Sequence, residues 1–208
     1  MPPLPRRSLL VLPALALGLP AQAQQMDIGR ATTFIQTTGE ELVAAINAAG
    51  GNPAERRAKV AAILKRAVDV EGVGRFILGR WWRTATPPQQ AEYLQLFEDV
   101  LIRNLSSRFG EFQGLRFALG RSQSRTEEDV LVNTLVERPG TPAFALDWRV
   151  AEIGGHPRVV DVIAEGTSLR LTTRSEYSSV ITRGGNNVAA LNAALRQQII
   201  TLASREGG

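Results

Sequence analysis

The spacing of apolar residues changes twice along this 208-residue chain, and this change limits the folds that it can adopt. Before Gly114 the apolar residues recur at the spacing of amphipathic helices. From Leu115 to about Thr172 they alternate with polar residues, which predicts strands of an antiparallel sheet with one apolar and one polar face. Helical spacing then returns. Helices that come before and after a sheet predict an α+β fold.

Capping and turn residues set the limits of the predicted elements. The segments 52–55 (Asn-Pro-Ala-Glu) and 86–89 (Thr-Pro-Pro-Gln) both have the pattern of a helix start, with a capping side chain followed by proline. The helices are expected at 28–49, 53–68, from 87 onward, 173–184 and 188–202. The strands are expected at 115–119, 129–136, 144–150, 159–164 and 168–172.

The N-terminus has the three parts of a secretory signal peptide: Arg6-Arg7, an apolar run at 9–19, and the small-residue site Ala21-Gln22-Ala23. We therefore expect residues 1–23 to be removed on export, by the general or the twin-arginine route. The mature chain, 24–208, is expected to form one domain or two closely packed lobes. It retains 22 basic and 20 acidic residues, and a net charge of +2 does not support a nucleic-acid-binding protein.

Most signatures of an enzyme are missing from the sequence. The chain has no cysteine and a single histidine, His156, which lies in a Gly-Gly-His-Pro turn and is interpreted as a solvated loop residue. The usual zinc sites and histidine-dependent triads therefore cannot be assembled. We expect the chain not to be an enzyme and to hold no metal or cofactor.

Two acidic residues interrupt an otherwise apolar strand, VVDVIAEG. Asp161 and Glu165 could form a functional carboxylate pair. The simpler interpretation is strand alternation, in which Val160, Val162 and Ala164 face inward and the two acids face outward.

Three stretches of the chain carry a recognisable pattern: VEGVGRFILGRWWRTATPPQQAEYLQLFEDVLIR at 70–103, DVIAEGTSLRLTTRSEYSSVI at 161–181, and LNAALRQQI at 191–199. Together they resemble the MlaC family, also called the toluene-tolerance auxiliary proteins, over about residues 28–202. The most specific parts are LGRxWR before the helix start and EGxSLxLTxRSEY. Neither part is a catalytic signature.

The resemblance implies helices packed on a curved antiparallel sheet of about five strands, similar to the NTF2-like fold, around an apolar cavity that holds the acyl chains of a phospholipid. It also implies a monomeric periplasmic lipid carrier. Its partners would be an MCE-domain subunit of an inner-membrane ABC transporter and an outer-membrane lipoprotein–porin complex. Contact with these membrane complexes would be transient.

Under this interpretation, apolar side chains from the helices and the sheet line the cavity. They are expected to be Phe76, Leu78, Trp81, Leu94, Phe97, Leu101, Leu105, Phe117, Leu119, Phe144, Leu146, Trp148, Val160, Val162, Leu169 and Leu171. Only one of Trp81 and Trp82 is expected to turn inward. The two tryptophans would belong to a short helix that closes one end of the cavity. Arg75, Arg80 and Arg83 would lie on the outer side of this helix.

Other functions remain open at this point. A similar subgroup of the family implies a hopanoid as the lipid. An exported hydrolase or isomerase on the same scaffold would need polar groups in the cavity, for which Asp147, Asp161 and Glu165 are the candidates. A structural adaptor of the cell envelope would use its apolar surface to bind proteins. The identity of the lipid, the number of chains held, the direction of transport and the partner surfaces do not follow from the sequence.

Overall fold

The computed structural model describes residues 26–48, 53–106 and 114–206. Within these ranges seven helices and five strands follow one another along the chain. The helices are α1 (Ile28–Asn47), α2 (Pro53–Ala67), α3 (Val70–Leu78), α4 (Arg80–Thr84), α5 (Pro87–Ser106), α6 (Leu169–Arg183) and α7 (Val188–Glu206). The strands are β1 (Arg116–Ser124), β2 (Asp129–Arg138), β3 (Thr141–Ile153), β4 (His156–Ala164) and β5 (Thr167–Ser168).

The five strands form one antiparallel sheet in the order β1-β2-β3-β4-β5, so that each strand pairs with the next in sequence. Short turns are sufficient for such a meander, and Gly154-Gly155 between β3 and β4 has the positive φ angles that a tight turn requires. The arrangement confirms the predicted α+β fold with a five-stranded antiparallel sheet.

The two faces of the sheet differ in chemistry, as the alternation predicts. One face, which we call the inner face, is apolar and carries Phe117, Leu119, Val130, Val132, Thr134, Val136, Phe144, Leu146, Trp148, Val150, Val159 and Val162. The opposite or outer face carries Asp129, Leu131, Asn133, Leu135, Asp147, Arg149 and Asp161. Within β1 to β4 the predicted alternation is wrong at Val160. This residue is the extra one at a β-bulge, so Val159 pairs with Val150 in its place.

Helix α1 lies across the inner face. Its Ala31 and Ile35 are buried against Val130, Val132 and Val150 of the central strands. Polar contacts fasten both ends of the helix to the sheet: Arg30 to Glu152 (2.5 Å), Thr32 to Ser122 (2.8 Å) and Asn47 to the Leu115 carbonyl (3.1 Å).

A second apolar core lies between helices α3 to α7. Tyr93 and Leu78 are almost fully buried there, together with Leu191 and Leu195 of α7. Helix α5 packs against α2, α3 and α7, whereas the helices that contact the sheet most closely are α1, α2, α3 and α6. Helix α5 therefore belongs to the helical core and not to the layer that covers the sheet.

The start of α5 confirms a prediction from the sequence in atomic detail. The Gln89 N–H donates to Thr86 Oγ1 (3.4 Å), and the Thr86 N–H donates to Gln89 Oε1 (2.9 Å). These reciprocal bonds satisfy two of the N–H groups that a helix start leaves without partners. The matching signal at 52–55 includes Asn52, which lies outside the described residues.

The predicted strand at 168–172 is wrong. Only Thr167 and Ser168 pair with β4, and helix α6 begins at Leu169. Ser168 caps the helix by accepting from the Leu171 N–H (3.2 Å). The helix therefore starts four residues before its predicted start at Thr173.

The predicted signal peptide at 1–23 also lies outside the described residues. Among the helices that are described, none combines the length and the apolar character that crossing a membrane requires.

Candidate functional site

The inner face of the sheet carries a group of large apolar side chains that the protein covers only in part. Unlike the fully buried valines of the central strands, these side chains are only half-buried. They are Phe117 and Leu119 of β1, Phe144, Leu146 and Trp148 of β3, and Val162 of β4. Cross-strand register places Leu119 in one row with Leu146, and Trp148 beside Val162. We call these six residues the apolar wall.

Trp148 is held in place on the wall by its single polar atom. Its Nε1–H donates to Thr134 Oγ1 on the neighbouring strand (2.8 Å), and the Thr134 hydroxyl donates to the Leu146 carbonyl (3.4 Å). Thr134 is itself 1% exposed. The indole therefore presents its apolar ring to the inner space without leaving a buried donor unpaired.

Helix α1 meets the edge of the wall at a glycine. A Cβ atom on Gly39 would lie 2.5 Å from the ring of Phe117, so the helix backbone rests directly on this aromatic side chain. Any larger residue at position 39 would displace the Phe117 ring or the helix.

The three acids that an enzyme would require do not meet on the inner face. Asp147 accepts a hydrogen bond from Asn133 (2.7 Å) on the outer face. Asp161 is also on the outer face, and Glu165 is exposed in the turn between β4 and β5 with φ 50°. This arrangement provides no convergent carboxylate pair.

Asp161 faces outward, as the alternation predicts, but it is buried on that side. Its carboxylate accepts from the Ser168 hydroxyl (2.6 Å), from the Arg170 N–H at the start of α6 (3.2 Å) and from the Val162 N–H (2.9 Å). Burial raises the pKa of Asp161 above its usual value, although the bonds from Ser168 and Val162 oppose this shift. The acid thus joins the sheet to the start of α6 and has a structural role.

The raised pKa of Asp161 predicts how the free energy of unfolding depends on pH. The folded protein holds the Asp161 proton more tightly than the unfolded chain, in which aspartate has a pKa of about 3.9. The contribution of Asp161 is therefore greatest below the unfolded pKa and is lost as pH rises through the folded pKa. We expect the free energy of unfolding of the wild type, relative to Asp161→Asn, to fall with rising pH. Urea unfolding of both proteins across the acidic pH range measures this difference in the free energy of unfolding. If the free energies of the two proteins changed in parallel with pH, the expectation would be contradicted.

The family model for MlaC protein matches residues 33–197, which is most of the chain. The chain belongs to the MlaC family. This assignment confirms the resemblance drawn from the three sequence stretches, and it agrees with the expectation that the chain is not an enzyme.

Two known proteins are similar to this chain. Toluene tolerance protein ttg2D of Pseudomonas putida is 23% identical over 127 residues, which span 61% of this chain and 59% of that protein. A phospholipid-binding protein from Ralstonia solanacearum, solved in complex with a phospholipid, is 25% identical and superposes with a TM-score of 0.74. The superposition covers 83% of this chain and 98% of the Ralstonia chain.

The residues predicted from the MlaC resemblance do not form a single wall. Five belong to the helical core: Phe76, Leu78, Trp81, Leu94 and Phe97. Three belong to the sheet and pack against the cluster that α1 forms with the central strands: Leu119, Trp148 and Val162. Leu105 packs with α1 and α2. Leu101, Phe117, Phe144, Leu146 and Val160 are half-buried outside these clusters. Leu169 and Leu171 are exposed on α6.

Three predicted residues are already enclosed by other protein side chains. Leu78, Phe97 and Trp81 are 1%, 6% and 8% exposed within the helical core. Of the two adjacent tryptophans, Trp81 is the buried one, and its Nε1–H donates to Ser178 of α6 (3.2 Å). Trp81 therefore packs against helices and is not part of the apolar wall.

The two leucines of α6 are displaced from their predicted position because the segment is helical. Leu169 and Leu171 are 48% and 55% exposed, whereas a fifth strand would have turned both onto the inner face. They are excluded from the candidate site.

Sequence reasoning missed the contribution of α1. Phe34 is half-buried against the cluster on the sheet, beside Trp148 and Val162, and Leu42 is half-buried toward α2. Their helical spacing with Ile35 was visible in the sequence. The spacing marks an apolar stripe but does not say which surface the stripe covers.

Proposed function

We propose that this MlaC-family protein is a periplasmic carrier that holds a phospholipid by its acyl chains against the apolar wall. The observation that carries the proposal is the group of six apolar side chains, on three neighbouring cross-strand rows, that the protein leaves partly uncovered on the inner face. A single partly exposed apolar side chain is ordinary, but a contiguous group of them on one face is typical of a surface that a ligand or a partner covers.

The chemistry of the inner face supports an apolar ligand. Asp147 and Asp161 lie on the opposite face, and the polar atoms of Trp148 and Thr134 are bonded to each other. An acyl chain placed there would meet carbon atoms and no unpaired charge from these residues. The phospholipid bound by the Ralstonia relative, which shares this fold, agrees with this ligand class.

The energetics explain the need for such a wall. At about 0.8 kcal/mol per methylene, an acyl chain of about 16 carbons costs roughly 12 kcal/mol to place in water. Escape from a membrane without a carrier would be very slow. A carrier must therefore offer an interior nearly as apolar as the bilayer, and the direction of transfer must come from its partners.

The expected partners are those of the family. We propose that an MCE-domain subunit of an inner-membrane ABC transporter and an outer-membrane lipoprotein–porin complex exchange lipid with this protein. The protein would move between them as a soluble monomer.

Native mass spectrometry of protein purified from a periplasmic extract tests the proposal. We expect a bound lipid at a stoichiometry near one, and extraction followed by mass analysis distinguishes a phospholipid from a hopanoid. Recovery of a hopanoid would correct the ligand class. Protein that carries no lipid, and takes up none from vesicles, would contradict the carrier function altogether.

A further inference from the structure

A group of arginines surrounds the junction of α3 and α4 on the surface of the helical core. They are Arg75, Arg80, Arg83, Arg170 and Arg174, and we call them the arginine patch. Arg170, Arg174 and Ser178 are spaced four residues apart, so they lie on one side of α6. This side faces α3 and α4, where Ser178 accepts from Trp81.

Aromatic rings support four of these guanidinium groups. The guanidinium carbons of Arg170 and Arg174 lie 4.2 and 5.0 Å from the ring centre of Phe76. Arg80 lies 4.6 Å from the centre of the Trp81 ring, and Arg75 lies 4.9 Å from that of Trp82. Cation–π contacts at these distances hold the planar groups in fixed positions.

Acidic side chains neutralise only part of this charge. Arg75 pairs with Glu71 (2.7 Å), and Arg170 pairs with Asp161 (3.2 Å). In the part of the chain that the structure describes, no carboxylate lies within ion-pair distance of the other three, Arg80, Arg83 and Arg174. Three positive charges therefore remain uncompensated: the Arg174 guanidinium lies over Gly79, and Arg80 and Arg83 follow one turn apart in α4.

Apolar side chains lie beside these charges. Leu171, which lies three residues before Arg174 and therefore near it on α6, is 55% exposed, and Trp82, which stacks with Arg75, is half-buried. An exposed leucine and a half-buried tryptophan next to arginines are typical of a surface that lies on a membrane, with phosphates at the arginines and the acyl boundary at the leucine. An acidic protein surface would match the charges but would give no reason for the exposed leucine.

We propose that the arginine patch, with Leu171, docks the protein onto the surface of an anionic lipid bilayer. Planar guanidinium groups bind phosphate oxygens through paired hydrogen bonds, and those stacked on rings lose little freedom in doing so. The surface is separate from the apolar wall, which lies on the inner face of the sheet. It brings the protein to the membrane without requiring that lipid be bound.

Co-sedimentation with vesicles tests the docking surface. The wild type is expected to bind vesicles of phosphatidylcholine mixed with phosphatidylglycerol, to bind pure phosphatidylcholine weakly, and to dissociate as salt is raised. The triple variant Arg80→Gln, Arg83→Gln, Arg174→Gln is expected to bind the anionic vesicles roughly a hundredfold more weakly. Leu171→Ser should weaken binding severalfold with no change in its salt dependence.

Matched variants distinguish vesicle binding by the arginine patch from the effects of net charge and of bound lipid. Lys59→Gln, Arg116→Gln, Arg121→Gln removes three exposed charges elsewhere, and Ile200→Ser removes an exposed apolar side chain on α7; both should bind as the wild type does. Native mass spectrometry measures the lipid bound by the triple variant, whereas co-sedimentation measures its binding to vesicles. Equal vesicle binding by the triple variant and the charge-matched control would overturn the proposal and favour an acidic protein as the partner of the patch.

Discussion

Replacement of Leu146 by glutamate is expected to empty the protein of lipid while leaving its fold intact. Leu146 is half-buried on the apolar wall, in one row with Leu119 and next to Thr134. In the free protein the new carboxylate would still reach water, so folding should tolerate it. A bound acyl chain would cover the carboxylate and remove its hydration, which costs several kcal/mol for a charge without a partner.

The expected loss of bound lipid at Leu146→Glu is at least about a hundredfold, because each 1.4 kcal/mol changes an equilibrium constant about tenfold. Leu135→Glu is the matched control. Leu135 lies on the next residue row, but it points to the outer face and is 40% exposed. Native mass spectrometry measures lipid occupancy in both variants, and circular dichroism checks their folding. Equal occupancy in two folded variants would show that the inner face is not the lipid site.

Replacement of Tyr93 by alanine is expected to cause the largest loss of stability among the changes considered. Tyr93 is fully buried, with its ring 6.0 Å from that of Phe97 and 6.4 Å from that of Tyr177. Removing a buried aromatic ring leaves a cavity and costs about 3–5 kcal/mol in the free energy of unfolding. Urea unfolding followed by fluorescence or circular dichroism measures the change.

The hydroxyl of Tyr93 makes a smaller and separable contribution. It donates to the Gly74 carbonyl (3.0 Å), and burial raises the pKa of the phenol far above its usual value, so it remains protonated at neutral pH. Tyr93→Phe removes this bond but keeps the ring, and we expect it to cost about 1 kcal/mol. Equal losses for the alanine and phenylalanine variants would show that the hydrogen bond, and not the packing of the ring, stabilises the helical core.

The sheet was predictable because its information is local. Alternation at 115–119, 129–136, 144–150 and 159–164 identified four strands, and the residues that alternate to one side, such as Leu146 and Trp148, do lie on the inner face. The capping pattern at Thr86 was equally local and was confirmed in the start of α5. Each of these signals depends on side chains within a few residues of one another.

The segment after β4 was not predictable in this way. Leu-Arg-Leu-Thr-Thr alternates at 169–173, but the same letters can also begin a helix. The choice is made by Ser168, which caps the helix, and by the buried Asp161, which accepts from the Arg170 N–H. A side-chain oxygen that accepts from an N–H group at a helix start is favourable, and this one comes from a neighbouring strand that the local pattern cannot reveal.

The candidate site was only partly predictable for a similar reason. Apolar spacing shows that Leu78, Trp81 and Phe97 face some core, but it cannot distinguish a core filled by protein from one left for a ligand. In the structure these three side chains meet other helices, whereas the residues of β1 and β3 remain partly uncovered. That difference depends on how α5 packs against α2, α3 and α7 and not against the sheet.

The fastening of α1 to the sheet has a consequence for the order of folding. Its polar contacts join residues 122, 90 and 68 positions apart, at Arg30–Glu152, Thr32–Ser122 and Asn47–Leu115. Contacts between such distant residues form slowly, because a long loop must close before they contribute. Helix α1 precedes the strands in the chain but can dock only after β1 to β4 have formed. Between the formation of the sheet and this docking the apolar wall lacks one of its covers, and exposed apolar surface of this kind makes a folding chain prone to aggregate.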